Sequence, residues 1–313
     1  MYENVEMRQV LAEVLDKMME KNDKIIVIDA DLARANGTMA LRDKYPERAF
    51  DVGIAEQNMA AMAAGMAAYG FVPFIGSFTP FATRRICDQI TISIAYAKRN
   101  VKIIGTDPGI SAELNGGTHM SMEDIGVIRS ISGIVIFEPV DAVQLAKALP
   151  VIVEYDGPVY IRMFRKTSPI VFKDDYVFDL FKADLIREGK DVTLFATGIM
   201  VDESLKAAEM LKIEGIAAEI INIHTIKPID REAVVKSAKK TGAVVTCENH
   251  NVIGGLKSAV AEVLADEYPV PVKAIGVQDH FGEVAKMDYL KKKYHMTAED
   301  IVKAAKEAIA MKR

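Results

Sequence analysis

From end to end the chain alternates between short apolar runs and amphipathic stretches. Residues 24–30 (KIIVIDA) are rich in β-branched side chains, which predicts a strand buried on both faces. Before it, over 5–20, apolar positions recur at helical spacing. Further strands are predicted at 71–76, 101–106, 133–137 and 159–163, with helices over 56–69, 81–98 and 142–154 between them. Alternating βα units of this length predict a parallel sheet covered by helices on both faces. Residues 167–181 (TSPIVFKDDYVFDLF) hold no clean period and contain Pro169. The alternation then restarts, with strands at 192–196, 217–222, 242–247 and 272–276, and helices over 202–213, 230–239 and 255–267. A last helix starts at Thr297, where Asp300 completes a capping-box pattern. The expected architecture is α/β: two open, mainly parallel sheets covered by helices. The expected organisation is a first domain over 1–166, a linker over 167–183 and a second domain over 184–313.

One stretch imitates a membrane span. No charged residue falls between Gln57 and Thr83. Gly70, Pro73, Gly76 and Pro80 divide it into helix, strand and turn, so it reads as buried core. Met59, Met62 and Met66, at helical spacing, read as fillers of a core or subunit interface. Lys plus Arg number 39 against 44 Asp plus Glu, a net charge of −5, which argues against nucleic-acid binding. The two cysteines, Cys87 and Cys247, lie far apart without a CxxC, which excludes a disulfide scaffold and a cysteine zinc site. With a charged N-terminus lacking an apolar leader, this predicts a reducing, cytoplasmic setting. No metal-ligand spacing appears among the histidines, so no metal site is expected on this chain.

Open α/β sheets bind ligands beyond the carboxyl ends of their strands, so the loops there are where chemistry is sought. The loop after the strand at 101–106 is long for a βα connection and holds Gly109, Gly116, Gly117 and His119. It can bring backbone close to a ligand beside an imidazole; composition alone leaves it equally a surface loop with an incidental histidine. Glu56 opens a helix of Ala, Gly and Met that is expected to be buried nearly all round. A carboxylate entering dry surroundings tends towards a raised pKa and proton exchange, although a helix start favours any carboxylate. Phe78 and Phe81 end a strand and form either core or a flat platform for a ring.

Taken in order, several motifs resemble one family. They are Asp51-Val-Gly-Ile-Ala-Glu-Gln57, Gly76-Ser-Phe-Thr-Pro-Phe81 with Cys87-Asp-Gln-Ile90, and Asn115-Gly-Gly-Thr-His119. In the second half stand Thr225-Ile-Lys-Pro-Ile-Asp230, Glu248-Asn-His-Asn-Val-Ile-Gly-Gly255 and Asp279-His-Phe-Gly-Glu283. The chain is similar to the C-terminal half of a transketolase supplied as a separate subunit. The resemblance implies a pyrimidine-binding domain followed by a transketolase C-terminal domain. It implies thiamine diphosphate as cofactor, with the diphosphate and its Mg²⁺ (or Ca²⁺) held by a partner subunit. That partner is an N-terminal transketolase subunit bearing Gly-Asp-Gly, a motif this sequence lacks. An α2β2 assembly, sugar substrates, and neither nucleic acid nor membrane as partner follow from the same resemblance.

Roles carry over by position. Glu56 matches the residue that hydrogen-bonds the pyrimidine and drives its tautomer shift. Phe81 matches the aromatic stacked on that ring, and Phe78 a neighbouring wall. Asp31 and Leu32 fall among cofactor-proximal residues, and His119 matches the histidine on the donor's hydroxyls. The family's sugar-phosphate anchors correspond to Arg8, Ala35, Asp107 and Arg165. Only the arginines are retained: Ala35 replaces a serine, Asp107 a histidine. Asn115 stands for an aspartate that reads a substrate hydroxyl. The expectation is ketol transfer with a non-standard sugar: branched, deoxy, sulfonated or unphosphorylated. The alternatives are a β-subunit-like component of a 1-deoxyxylulose phosphate synthase or 2-oxo acid decarboxylase, or a non-catalytic assembly subunit.

Overall fold

The computed structural model describes residues 2–312. Contacts divide the chain into two compact units. One runs to Pro108 and resumes over Val127–Leu180; the other joins Gly109–Gly126 to the residues from Phe181 on.

The first unit is built on six parallel strands: β1 (Ile25–Asp29), β2 (Ala49–Asp51), β3 (Val72–Phe78), β4 (Lys102–Thr106), β5 (Val135–Phe137) and β6 (Val159–Met163). Their order in the sheet is β5-β6-β4-β3-β1-β2. Every residue of β1, β4 and β6 is buried, as expected of a parallel sheet covered on both faces. The register aligns Asp29 with Gly76, Gly76 with Ile104 and Ile104 with Ile161, so the loops that follow β1, β3, β4 and β6 leave one common edge. Helices Met7–Met19 and Ala142–Glu154 pack against each other. Asp141 caps the second through the Gln144 N–H at 2.7 Å. Its other oxygen accepts the Val171 and Phe172 N–H groups, which fastens the irregular 167–181 stretch to this unit.

The strands of the second unit are β7 (Asp184–Arg187), β8 (Val192–Ala196), β9 (Ala218–Asn222), β11 (Val244–Asn251) and β12 (Val272–Val277), with a short β10 (Thr225–Lys227) between β9 and β11 in the chain. They form a five-stranded sheet, β12-β11-β8-β9-β7, which leaves β10 outside it. All pairs are parallel except the edge pair β7–β9. The helix Ala298–Ala310 starts on the expected capping box: the Asp300 N–H donates to Thr297 Oγ1 and the Thr297 N–H to Asp300 Oδ2.

Two expectations are corrected. The predicted helix over 81–98 is broken at Thr83, whose ψ of −86° is non-helical. A short turn Thr79–Ala82, a tighter turn Arg84–Ile86 and a wide helix Gln89–Tyr96 replace it. The helix Glu56–Ala68 is not buried all round. Met59, Ala60, Ala63 and Ala64 face the core, whereas Gln57, Ala61 and Gly65 are exposed. Its small residues pack closely on one side, and nothing among the described residues covers the other. No helix among the described residues is long and apolar enough to cross a membrane.

Candidate functional site

The carboxyl edge of the first sheet gathers most of the predicted residues. Asp31 follows β1 with φ +60°, and its N–H donates to Asp51 Oδ1 at 3.0 Å. The same oxygen accepts the Gly53 N–H at 2.7 Å, so Asp51 ties the turn after β1 to the turn after β2. Leu32 begins the short helical turn Ala33–Asn36. Glu56 stands at the start of its helix and is 4% exposed. A cleft of about 550 Å³ lined by Ile54–Asn58 and Arg85 opens over it.

Glu56 is not simply in dry surroundings. Arg85 Nη1 lies 2.7 Å from its Oε1. The same guanidinium covers the Phe81 ring, with Cζ 3.8 Å from the centroid. Phe78 and Phe81 stand 6.4 Å apart, tilted by 57°, and Phe78 carries Arg165 at 5.2 Å. Each phenyl of the expected platform therefore already holds a cation on its face.

Around Arg165, Asp107 is buried, with φ +53°. Its carboxylate meets Arg165 Nε at 2.5 Å, and its N–H donates to the Met163 carbonyl at 3.0 Å. Arg8 donates its backbone N–H to the Arg165 carbonyl, while its side chain pairs with Glu6 at 2.6 Å. Both predicted anion anchors are thus matched by carboxylates of the same chain. The Gly37 backbone lies against Arg8: a Cβ there would come within 2.4 Å of the Arg8 carbonyl oxygen.

Asn115 and His119 belong to the second unit. Asn115 is exposed; His119 is half-buried, its Nδ1 2.9 Å from Thr118 Oγ1. The glycine-rich loop packs on protein backbone. A Cβ at Gly117 would meet the Gly282 carbonyl oxygen at 2.4 Å. The Ile110 N–H donates to Asn249 Oδ1, the Asn251 N–H to the Met122 carbonyl, and the Met287 N–H to Glu113 Oε1. The segments 248–255 and 279–283 are therefore the seat of the loop, a role that their spacing along the chain did not disclose.

Nothing in the sequence marks Asp29. Its buried carboxylate accepts from Asn36 Nδ2 at 2.8 Å and Thr38 Oγ1 at 2.6 Å, while Thr106 Oγ1 donates to Asn36 Oδ1 at 3.1 Å. Burial pushes its pKa up from 3.8 to about 6, against the hydrogen bonds that lower it. Between those values the folded chain holds a proton that the unfolded chain releases. Its contribution to stability is therefore present below about pH 4 and is lost as the pH rises towards 6, by roughly 2–3 kcal/mol. Asp29→Asn is expected to flatten that slope in urea unfolding between pH 4 and pH 7; identical slopes would refute the assignment.

A parallel α/β unit with a buried carboxylate and an aromatic pair at its carboxyl edge is the frame of a cofactor-binding enzyme domain. The transketolase pyrimidine binding domain family matches residues 3–169, and the transketolase C-terminal domain family matches residues 181–301. The chain belongs to the transketolase family. It is 54% identical to the 6-deoxy-6-sulfo-D-fructose transketolase subunit SqwH of Clostridium sp. (strain MSTE9), over 98% of this chain and 95% of that one. It is 34% identical to an apulose-4-phosphate transketolase subunit of Phocaeicola vulgatus, over 96% of this chain and 97% of the other. Among solved structures it resembles a split gene transketolase described as an inactive beta4 tetramer. The TM-score is 0.91 at 44% identity, covering 99% of this chain and 100% of that one.

The family implies dependence on thiamine diphosphate. The residues present fit its aminopyrimidine, and Arg85 is the measure of that fit. One planar, hydrogen-bonding group touches the Glu56 carboxylate and the Phe81 face at once. A planar ring in the same place reaches both, provided Arg85 gives way. These two contacts hold the Arg85 side chain to the cleft, and it is 41% exposed, so it has a solvated place to go.

Proposed function

We propose that this chain is the C-terminal subunit of a split, thiamine-diphosphate-dependent transketolase. It moves a two-carbon ketol unit from a ketose whose far end carries a single negative charge, with 6-deoxy-6-sulfofructose as the first candidate. The Asp107–Arg165 pair carries the substrate half of this reading. A phosphate brings about −1.5 to −2 charge at neutral pH; a sulfonate brings one. An arginine already matched by a buried carboxylate suits the smaller charge. A phosphate set against Asp107 meets repulsion of roughly 1–4 kcal/mol at contact. The name of the relative from Clostridium supports the same substrate class.

When bound, thiamine diphosphate supplies the carbon nucleophile that adds to the ketose carbonyl. The protein's part is to hold and move protons and to orient the sugar. Glu56 holds the proton shared with the pyrimidine nitrogen at its carboxylate, Phe81 sets the ring plane, and Phe78, Asp31 and Leu32 wall the site. By the family's pattern, His119 and Asn115 of the second unit are candidates for the sugar hydroxyls, and Arg8 and Arg165 of the first unit are candidates for its far end. The diphosphate and its Mg²⁺ or Ca²⁺ sit on the partner subunit, which bears the N-terminal half of a transketolase. The uncovered face of the helix Glu56–Ala68, with exposed Ile92 and Tyr96 on the packed neighbouring helix, supports association of this chain in an α2β2 assembly. A cytoplasmic setting is part of this reading.

The test is ketol transfer by the co-expressed pair of subunits, with 6-deoxy-6-sulfofructose and fructose 6-phosphate as competing donors. The sulfonate is expected to be preferred by about tenfold or more. Asp107→Asn is expected to move the ratio of kcat/KM towards the phosphate by about tenfold, equivalent to roughly 1.4 kcal/mol of relieved repulsion. Equal use of both donors by the unaltered pair would sink the substrate assignment.

A further inference from the structure

We infer that His250 is a positioning residue that clamps the loop Gly109–Gly126, and with it Asn115 and His119, onto the second sheet. The functional weight of this clamp rests on the role proposed above for that loop. His250 ends the buried part of β11 and is fully enclosed. Its Nδ1 is 2.6 Å from the Asn251 carbonyl oxygen, a contact that requires a proton on Nδ1. Nε2 is then the acceptor, and the Gly126 N–H points to it at 3.4 Å. A buried carboxylate faces each ring nitrogen. Asp124 Oδ1, at the start of the helix that closes the loop, is 3.9 Å from Nε2, and Glu248 Oε2 is 3.8 Å from Nδ1.

At 3.8 and 3.9 Å the carboxylates lie beyond hydrogen-bond distance of the ring, and each stands beside one of the parts that it joins. Glu248 accepts the Leu256 and Lys257 N–H groups at 2.6 and 2.9 Å, capping the helix Leu256–Glu267. Asp124 belongs to the loop. The imidazole thus links the strand, through the Asn251 carbonyl, to the far end of the loop, through the Gly126 N–H. The backbones meet at the same point: a Cβ on Gly254 would come within 3.0 Å of the Gly126 Cα. The near end is held by the Ile110 N–H on Asn249 Oδ1. A loop pinned at both ends by adjacent residues of one strand, Asn249 and His250, presents its middle in one arrangement. The middle is where Asn115 and His119 stand.

The experiment compares His250→Asn, His250→Gln and Asp124→Asn in the full chain, alone and assembled with its partner. Asn keeps a donor near the Nδ1 position but cannot reach Gly126; Gln places an amide near the Nε2 position. Asp124→Asn alters the contact from the loop side and leaves the strand intact. Amide exchange over 109–126 is expected to quicken about tenfold in His250→Asn, and to stay near the original rate in Asp124→Asn and in His250→Gln. In the assembled enzyme His250→Asn is expected to raise the KM for the ketose about tenfold, with thiamine diphosphate affinity unchanged. Unaltered loop exchange in His250→Asn overturns the inference. Faster exchange with an unaltered KM supports the clamp and removes the loop from the substrate site, which tells failure of the proposed function apart from failure of the clamp.

Discussion

Replacing Glu56 with Gln is expected to lower ketol transfer by the assembled enzyme about 10²–10⁴-fold. The substitution keeps shape and hydrogen bonding but removes the group's ability to take and return a proton. The site makes this a clean experiment. Glu56 is held by the first turn of its helix, lies beneath a cleft, and has a strong side-chain partner in Arg85. Gln still accepts from Arg85 through its carbonyl oxygen, so the local packing survives. The helix loses the modest stabilisation of an anion at its start, about 0.3–1 kcal/mol, together with the charge part of the Arg85 pair, which the partly exposed arginine makes up from water. A fall in kcat with an unaltered melting temperature would place the loss in proton exchange. An unaltered kcat would remove Glu56 from the mechanism, and with it the proton-exchange role proposed for this cleft.

The parts of this site that were legible in the sequence are those set by local pattern. Runs such as KIIVI could only be buried strands, so the βα alternation and the carboxyl-edge position of Asp31, Phe81 and Asp107 followed from it; Glu56 was legible only as the start of an apolar helix, because the three-residue strand before it carries no pattern. Contacts between distant residues were not legible. Arg85 reads as the charged end of an apolar segment; only the fold turns it back over Phe81 and onto Glu56. The strand β7 was missed because Asp-Leu-Ile-Arg carries no sustained alternation and pairs antiparallel at a sheet edge. The glycines of the His119 loop suggested backbone brought close to a ligand; what a Cβ at Gly117 would meet is the Gly282 carbonyl oxygen of the same unit. Asp29 looked like one more residue of a strand end. Its buried network depends on Asn36, Thr38 and Thr106, which no spacing rule connects.

Glu138→Ala is expected to be the most destabilising single change in the first unit, by about 3–5 kcal/mol. Glu138 follows β5 and meets Arg162 of β6 at 2.5 Å, with the arginine side chain fully enclosed and the glutamate nearly so. Alanine would take the carboxylate away from an enclosed guanidinium, where bulk water cannot replace it. A fall in melting temperature of roughly 10 °C should accompany it. Removing both charges together, as Glu138→Leu with Arg162→Met, should cost much less, because an apolar pair of similar volume leaves no charge unpaired. The pair also stands behind the proposed substrate subsite. Arg162 precedes Met163, whose carbonyl accepts the Asp107 N–H, and its register partner on β4 is Gly105, one residue before Thr106. The double variant should therefore fold yet bind the ketose more weakly, through displacement of Asp107 and Arg165. Thermal unfolding of the single and double variants separates the outcomes. If the double variant is as unstable as Glu138→Ala, the loss lies in packing rather than in the removed carboxylate. If Glu138→Ala alone is harmless, the interior of this sheet edge is wetter than its burial implies.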